Sequence, residues 1–265
     1  MTSARMSALA SLRGSIERIE AQSGSASRAR ASLGPAQVDA MLQGGLALGV
    51  LHEVFCEGGR QSAAATGFVA GLARRVTPRR PLIWVRQDFS EREVGRLSMS
   101  GLVELGLDPR RLVTVRACDV EDALRTTADA LACDAVGAVV LEVWSETHKL
   151  DLVASRKLTL AAQGAGVTGL LLRIAASPVP STAETRWIVR AGRSPPGSFS
   201  HAWGAPLLDA ELVRNRHGPL GRWIMEWKCD ECLFSEPAAD SQPVAAAPAH
   251  RSHQARAFER QQLAG

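Results

Sequence analysis

Residues 33–73, from Leu33 to Ala73, read LGPAQVDAMLQGGLALGVLHEVFCEGGRQSAAATGFVAGLA. A lead-in carrying Gly44 and Gly45 runs into a short apolar segment, Val50 to Phe55, of strand length. Gly58 and Gly59 supply a turn, and an Ala-rich helix is predicted from about Ala63. Strand, glycine turn and helix in that order is the local architecture of a phosphate-binding loop, where backbone N–H groups at a helix start cradle an anion. The residues that make such a loop work are missing. The pattern G-x-x-x-x-G-K-[ST] needs a Lys for the terminal phosphate and a hydroxyl for Mg²⁺. In register, Cys56 stands at the first Gly, Gln61 at the second, Ser62 at the Lys and Ala63 at the hydroxyl. No Lys precedes Lys149 anywhere in the chain, so the lysine is absent in every register. Arg60 is the loop's only cation, it precedes the helix start, and Glu57 beside it opposes a triphosphate.

Outward from this stretch, strands and helices alternate. Pro81 to Val85 (PLIWV) is an apolar strand, and Ser90-Glu91-Arg92-Glu93 has the form of a capping box opening a helix. That helix directs Val94, Leu97, Leu102 and Leu105 inward, with a break expected at Gly101 and a stop at Gly106 and Asp108-Pro109. Arg111 to Arg116 is a strand, Asp119 opens a helix through Ala132, and Ala135 to Val143 is an apolar strand buried on both faces. Leu150 to Gln163 is a helix with Leu152, Val153, Leu158 and Leu160 among its apolar residues, ended by Gly164 and Gly166, and Val167 to Leu172 is the next buried strand. Repeated strand–helix units predict an α/β fold with a mostly parallel central sheet flanked by helices. Thr185 to Arg190 is then a strand with no helix after it. Ala210 to Arg214 and Trp223 to Lys228 flank Asn215–Gly218 and form an antiparallel C-terminal hairpin extension.

The ends differ from the middle. Met6, Leu9, Leu12, Ile16 and Ile19 are spaced three or four apart, which predicts an amphipathic helix followed by a small-residue linker, so that 1–32 stands apart from a core at 33–228. That helix packs either on its own domain or on a partner. Residues 229–265, rich in Pro, Ala and polar residues, are expected to form a disordered tail with a short helix at Ala255 to Leu263. Among 265 residues the formal charge is +4, of which 1–228 carries +6 and the tail −2, enough to permit nucleic-acid contact but not to require it. Five Cys at irregular spacing make no disulfide framework and fit a reducing cytoplasm, and no apolar run is long enough for a membrane span.

Several segments resemble a known family. Gly44-Gly45-Leu46-Ala47-Leu48-Gly49 and Val50-Leu51-His52-Glu53-Val54 resemble the entry to a RecA-type ATPase core, and LGLDPRRL and DALACDAVGAVVLE follow in the order of that fold. The closing segments Leu212-Val213-Arg214-Asn215-Arg216 and Trp223-Ile224-Met225-Glu226-Trp227, with Thr66-Gly67-Phe68 and Thr185-Arg186-Trp187, resemble the ImuA family of damage-inducible mutagenesis proteins. The likeness spans about Leu33 to Lys228. It implies a RecA-like core with a degenerate nucleotide loop, acting without catalysis in SOS mutagenesis and translesion synthesis. The partners it implies are an ImuB-like homologue of Y-family polymerases and an error-prone polymerase III alpha-type subunit, with RecA itself a third. It further implies a cytoplasmic protein that is nucleoid-associated when engaged. Two rival readings are an ATP-binding regulatory switch and a SulA-like cell-division inhibitor.

The candidate residues follow. Gly58, Gly59, Arg60, Gln61, Ser62 and Ala63 form the degenerate loop, and Glu142 closes the Walker-B-like strand. A carboxylate there can reach Mg²⁺ through water, but without the loop hydroxyl the favoured reading is an ordinary exposed strand end. Asp88 lies where the RecA-type fold keeps a water-activating carboxylate, or simply approaches a helix. No nucleotide, Mg²⁺ or other metal is expected as a resident cofactor. The gaps Trp144 to Lys149 and Ala175 to Glu184, where RecA recombinases hold DNA, are short and poor in Lys, Arg and Gly. Arg186, Arg190, Arg214, Arg216 and Arg222, with Arg193, form a basic C-terminal set that reads as a phosphate- or DNA-contacting patch or as a solvated face. Trp187, Trp223 and Trp227 are expected in the core. Cys229-Asp-Glu-Cys232 is a lone C-x-x-C lacking two further zinc ligands.

Overall fold

Local sequence signals account for several helix boundaries. In the computed structural model, which describes residues 28–193 and 206–237, the Asp119 carboxylate accepts from the Asp122 N–H and caps helix α5, Val120–Leu131. Asp151 does the same for helix α6, Leu152–Ala165, which Gly166 closes in the left-handed conformation. Gly164 lies inside α6 rather than ending it. Helix α2, Ser62–Val76, follows strand β3, Leu51–Cys56, as the glycine turn foretells.

Upstream of these, strands β1 (Arg30–Ala31) and β2 (Leu46–Ala47) pair antiparallel around a short helix α1, Ala36–Met41. Strand β4 is Leu82–Gln87, and helix α3, Asp88–Val94, starts directly from it. Here the structure corrects the expected capping box: Ser90 is buried inside α3 with its hydroxyl unpartnered. The helix breaks at Gly95, not Gly101, and resumes as α4, Met99–Glu104, where the Ser98 side chain accepts from the Gly101 N–H. Strands β5 (Leu112–Ala117), β6 (Ala138–Trp144) and β7 (Thr168–Ile174) complete the strand–helix alternation.

Strands β8 (Thr185–Ala191), β9 (Leu207–Asn215), β10 (Gly221–Lys228) and β11 (Leu233–Ser235) have no intervening helices. Among the described residues nine strands form one sheet in the order β11-β10-β9-β8-β3-β7-β6-β4-β5. From β8 to β5 all neighbours are parallel, whereas β9, β10 and β11 add antiparallel. The fold is therefore α/β with a mostly parallel sheet and an antiparallel C-terminal extension. Phe68 of α2 packs against Trp187 and Phe234 with ring centroids 5.4 and 5.3 Å apart, so one face of the sheet is sealed by α2, α4 and the last strands. Helices α5 and α6 cover the other face through Ala123, Leu131, Leu158 and Ala162. Leu152, Val153 and Leu160 of α6 do not join them and stand more than half exposed.

The folded body runs past the expected core limits on both sides. β1 precedes residue 33, and β11 extends the sheet beyond Lys228 with Phe234 fully buried. The amphipathic segment from Met6 to Ile19 and the tail after residue 237 lie outside the described residues.

Candidate functional site

Strand β3 delivers the chain to the loop. After Cys56 the backbone turns at Gly58, whose φ of +88° suits glycine, and enters a single 3₁₀ turn, Gly59–Gln61, that leads straight into α2. The Gln61 N–H donates to the Gly58 carbonyl at 3.2 Å, and the Ser62 N–H donates to Gly59 O. The Ser62 hydroxyl, at the lysine position, donates to the same Gly59 carbonyl at 2.7 Å, and the Gln61 side-chain oxygen accepts from the Ala191 N–H at 2.7 Å. The Ser62 hydroxyl and the Gln61 side-chain oxygen are thus engaged within the loop and by β8. The indole of Trp144 lies against the loop: a Cβ on Gly59 would stand 3.1 Å from it. Phe89 meets that indole edge-on at 6.5 Å. Arg60 and Ala63 are exposed. Burial pushes the Cys56 thiol up to about 11, so it is a neutral packing group.

Glu142 does not end β6 in solvent. It is fully buried and accepts from Trp84 Nε1 at 3.0 Å, Arg86 Nε at 2.8 Å and Arg86 Nη2 at 2.8 Å. Arg86 sits directly opposite Glu142 in the β4–β6 register, so the pair is a fork-to-fork ion bridge across neighbouring strands. With both oxygens engaged by cation and indole donors, this carboxylate is held as a structural counter-ion. Asp88 is likewise paired, accepting from Arg116 of β5 at 2.9 Å.

A second buried pair lies two strands away. Glu53 of β3 stands opposite Arg186 of β8, with Arg186 Nε donating to Glu53 Oε2 at 2.8 Å and the Ser181 hydroxyl donating to the same oxygen at 2.9 Å. The Phe55 ring sits between two guanidinium groups, Arg173 at 5.6 Å and Arg186 at 5.5 Å. Arg186 is therefore an internal residue rather than part of a contact patch.

Two more members of the basic set, Arg190 and Arg222, are neutralised where they stand. Arg190 donates to Glu57 at 2.7 Å and to Glu211 at 3.3 Å, and Arg222 grips both oxygens of Asp209 at 2.8 and 2.6 Å. The Arg222 fork holds the Asp209 carboxyl below the usual carboxylate range. Arg214 is half-buried, and desolvation with Arg186 nearby lowers its pKa. Arg216 is exposed. Arg190 and Arg222 are thus held by separate carboxylates, whereas Arg214 and Arg216 have none within 4.0 Å among the described residues.

No protein-family profile matches the chain. It is 32% identical over 210 residues to Protein ImuA of Caulobacter vibrioides, strain NA1000 / CB15N, covering 74% of this chain and 82% of that protein. The same identity and coverage hold for Protein ImuA of strain ATCC 19089 / CB 15. The chain belongs to the ImuA family.

Sequence reasoning about this ImuA-family chain missed its buried polar skeleton. One readable signal was present: each parallel strand of the sheet's middle carries a charge inside an apolar run, as Glu53, Arg86, Glu142, Arg173 and Arg186 do. The aromatic expectation fares better, because Trp187 and Trp227 are fully buried and Trp223 packs half-buried on Trp187 at 6.1 Å. Cys229 and Cys232 are free thiols in the turn between β10 and β11, the Cys232 thiol donating to the Cys229 carbonyl. Among the described residues no three His, Cys, Asp or Glu side chains gather as a metal site does, and no helix is long and apolar enough to cross a membrane.

Proposed function

We propose that this ImuA-family chain is a non-catalytic accessory of damage-induced mutagenesis, supporting translesion synthesis by holding other proteins rather than by turning over nucleotide. Its partners under this reading are an ImuB-like Y-family homologue and an error-prone polymerase III alpha-type subunit. The observation that carries the non-catalytic part is the loop itself. Ser62 takes the lysine position, its hydroxyl is bonded to Gly59, Trp144 fills the space above, and Glu142 is clamped by Arg86. A nucleotide-driven switch needs a cation and a metal ligand that respond to the terminal phosphate. Neither is poised here.

The test is genetic and biochemical together. Deleting the gene is expected to lower ultraviolet-induced mutation while homologous recombination persists. Complementation with the Arg60→Ala, Ser62→Ala double variant is expected to restore mutation fully. A folded double variant that fails to complement, or binding of ATP-Mg²⁺ detected by titration calorimetry, would instead establish the nucleotide-switch alternative.

A further inference from the structure

A cluster of arginines lies at the opposite end of the parallel strands from the degenerate loop. α2 ends at Val76, and the turn into β4 carries Arg79 and Arg80, while the 3₁₀ turn before β5 carries Arg110 and Arg111. Together with Arg74, four of these five arginines line or flank a cleft of about 270 Å³ in which Asp108 is the one carboxylate, Arg110 standing just outside it. Arg110 and Arg111 share that carboxylate, at 3.2 and 3.5 Å. Arg74, Arg79 and Arg80 have no carboxylate within 4.0 Å among the described residues, and the Nε of Arg74 is buried without an acceptor. The Arg111 guanidinium donates to the Arg79 carbonyl, which fastens the two turns together across the cleft.

The charge balance makes this concentration informative. The described residues hold 25 Arg and Lys against 23 Asp and Glu, a net of +2, whereas the five arginines in and beside the cleft and Asp108 amount to +4. This cluster therefore exceeds the charge of the whole body, and the remainder is net acidic. Attraction of basic side chains to the C-terminus of α2 accounts for Arg74. It does not account for Arg79, Arg80, Arg110 or Arg111, which lie beyond the helix. Guanidinium forks match phosphate oxygens bidentately, and the field of such a cluster steers polyanions. Leu82 and Leu107 in the lining are themselves buried and Leu112 is half-buried, so that, apart from Pro78, the exposed side chains of the cleft are arginines. No aromatic ring lines it, so bases have nothing to stack on and only a backbone is contacted.

The geometry points to a nucleic-acid backbone site, sequence-independent and formed by Arg74, Arg79, Arg80, Arg110 and Arg111 at the amino-terminal edge of β4 and β5. It stands on charge and shape alone and is separable from the mutagenesis reading, because its test uses purified protein. Full-length protein is titrated into a labelled single-stranded oligonucleotide of roughly 20 nucleotides between about 50 and 200 mM salt, followed by fluorescence anisotropy. Four phosphate contacts give a slope of log affinity on log salt of about −3, and the triple variant Arg79→Ala, Arg80→Ala, Arg111→Ala brings it to about −1, with affinity at low salt down at least about tenfold. The Arg79→Lys, Arg80→Lys, Arg111→Lys variant keeps the charge and retains the slope, which guards against a loss caused by misfolding. Arg216→Ala leaves both readings unchanged. Absence of binding at low salt, or equal binding by the alanine triple, overturns the site. So does displacement by poly-glutamate or pyrophosphate as effective as displacement by unlabelled DNA, since the receptor is then for acidic protein or free phosphate.

Discussion

Replacing Arg86 with Leu tests whether Glu142 is a structural counter-ion. The substitution leaves a fully buried carboxylate with one remaining donor, the Trp84 indole at 3.0 Å, in place of the two charge-assisted bonds at 2.8 Å. Removing one member of a buried ion pair costs about 3–5 kcal/mol. In a body of this size each kcal/mol moves Tm by about 2–4 °C, so the fall is roughly 6–20 °C. Glu142→Leu is expected to cost a similar amount, because it strands the Arg86 guanidinium and the Trp84 N–H together. The triple change Trp84→Phe, Arg86→Leu, Glu142→Leu removes all three polar side chains at once, leaving only the Gly95 carbonyl that Arg86 also bonds, and should return stability to within about 2 kcal/mol of the parent. Equilibrium urea unfolding of the four proteins measures all three numbers, and ultraviolet-induced mutation in strains carrying them reads function. A single substitution costing less than about 1 kcal/mol refutes the ion-pair argument. A triple variant as stable as the parent yet inactive in mutagenesis refutes the structural role and makes Glu142 a working carboxylate.

Three further outcomes follow from local geometry. His52 is fully buried, its Nε2–H donating to the Ala47 carbonyl at 2.8 Å while Nδ1 accepts from the Thr185 hydroxyl at 2.8 Å, and desolvation lowers its pKa from 6.5 to about 4. The unfolded chain binds the proton first, so stability is complete above pH 6.5 and falls by about 3 kcal/mol as pH drops towards 4, a slope that urea titrations of a His52→Gln variant should lack. Gly71→Ala places a Cβ 2.6 Å from Phe234 and 2.9 Å from Trp227, so α2 and β11 must separate; a loss of about 1–3 kcal/mol and faster hydrogen exchange in residues 227–235 are expected. Thr185→Val removes both the acceptor for Trp187 Nε1 at 3.1 Å and the donor to His52, and should cost about 1–3 kcal/mol in the same unfolding assay with little change in packing volume.

Legibility in the sequence followed the range of the interaction. Asp119 and Asp151 cap the helices next to them, and the strand–helix alternation fixed the parallel sheet, because both signals act within a few residues. Ser90 misled for the same local reason. Its spacing to Glu93 matches a capping box, but α3 begins two residues earlier off β4 and turns Ser90 inward. The pairs Arg86–Glu142 and Glu53–Arg186 depend on register between strands 56 and 133 residues apart, which no window of sequence contains. Arg190 and Arg222 of the C-terminal set likewise find their carboxylates only once the loop at Glu57 and strand β9 are in place. The Arg79–Arg111 cleft was invisible because its two turns meet only once β4 and β5 are adjacent.

The position of β3 also has a bearing on biosynthesis. It is among the first strands made, yet its two neighbours, β7 and β8, begin only at Thr168 and Thr185. As the chain leaves the ribosome, Leu-His-Glu-Val-Phe-Cys waits without either flank for more than a hundred residues of synthesis. Such non-local pairing folds slowly and leaves an apolar strand open to other chains. A nascent chain arrested before β8 emerges is therefore the species a chaperone meets, and the acquisition of protease resistance should coincide with release of the segment ending at Ala191 rather than rise gradually with length.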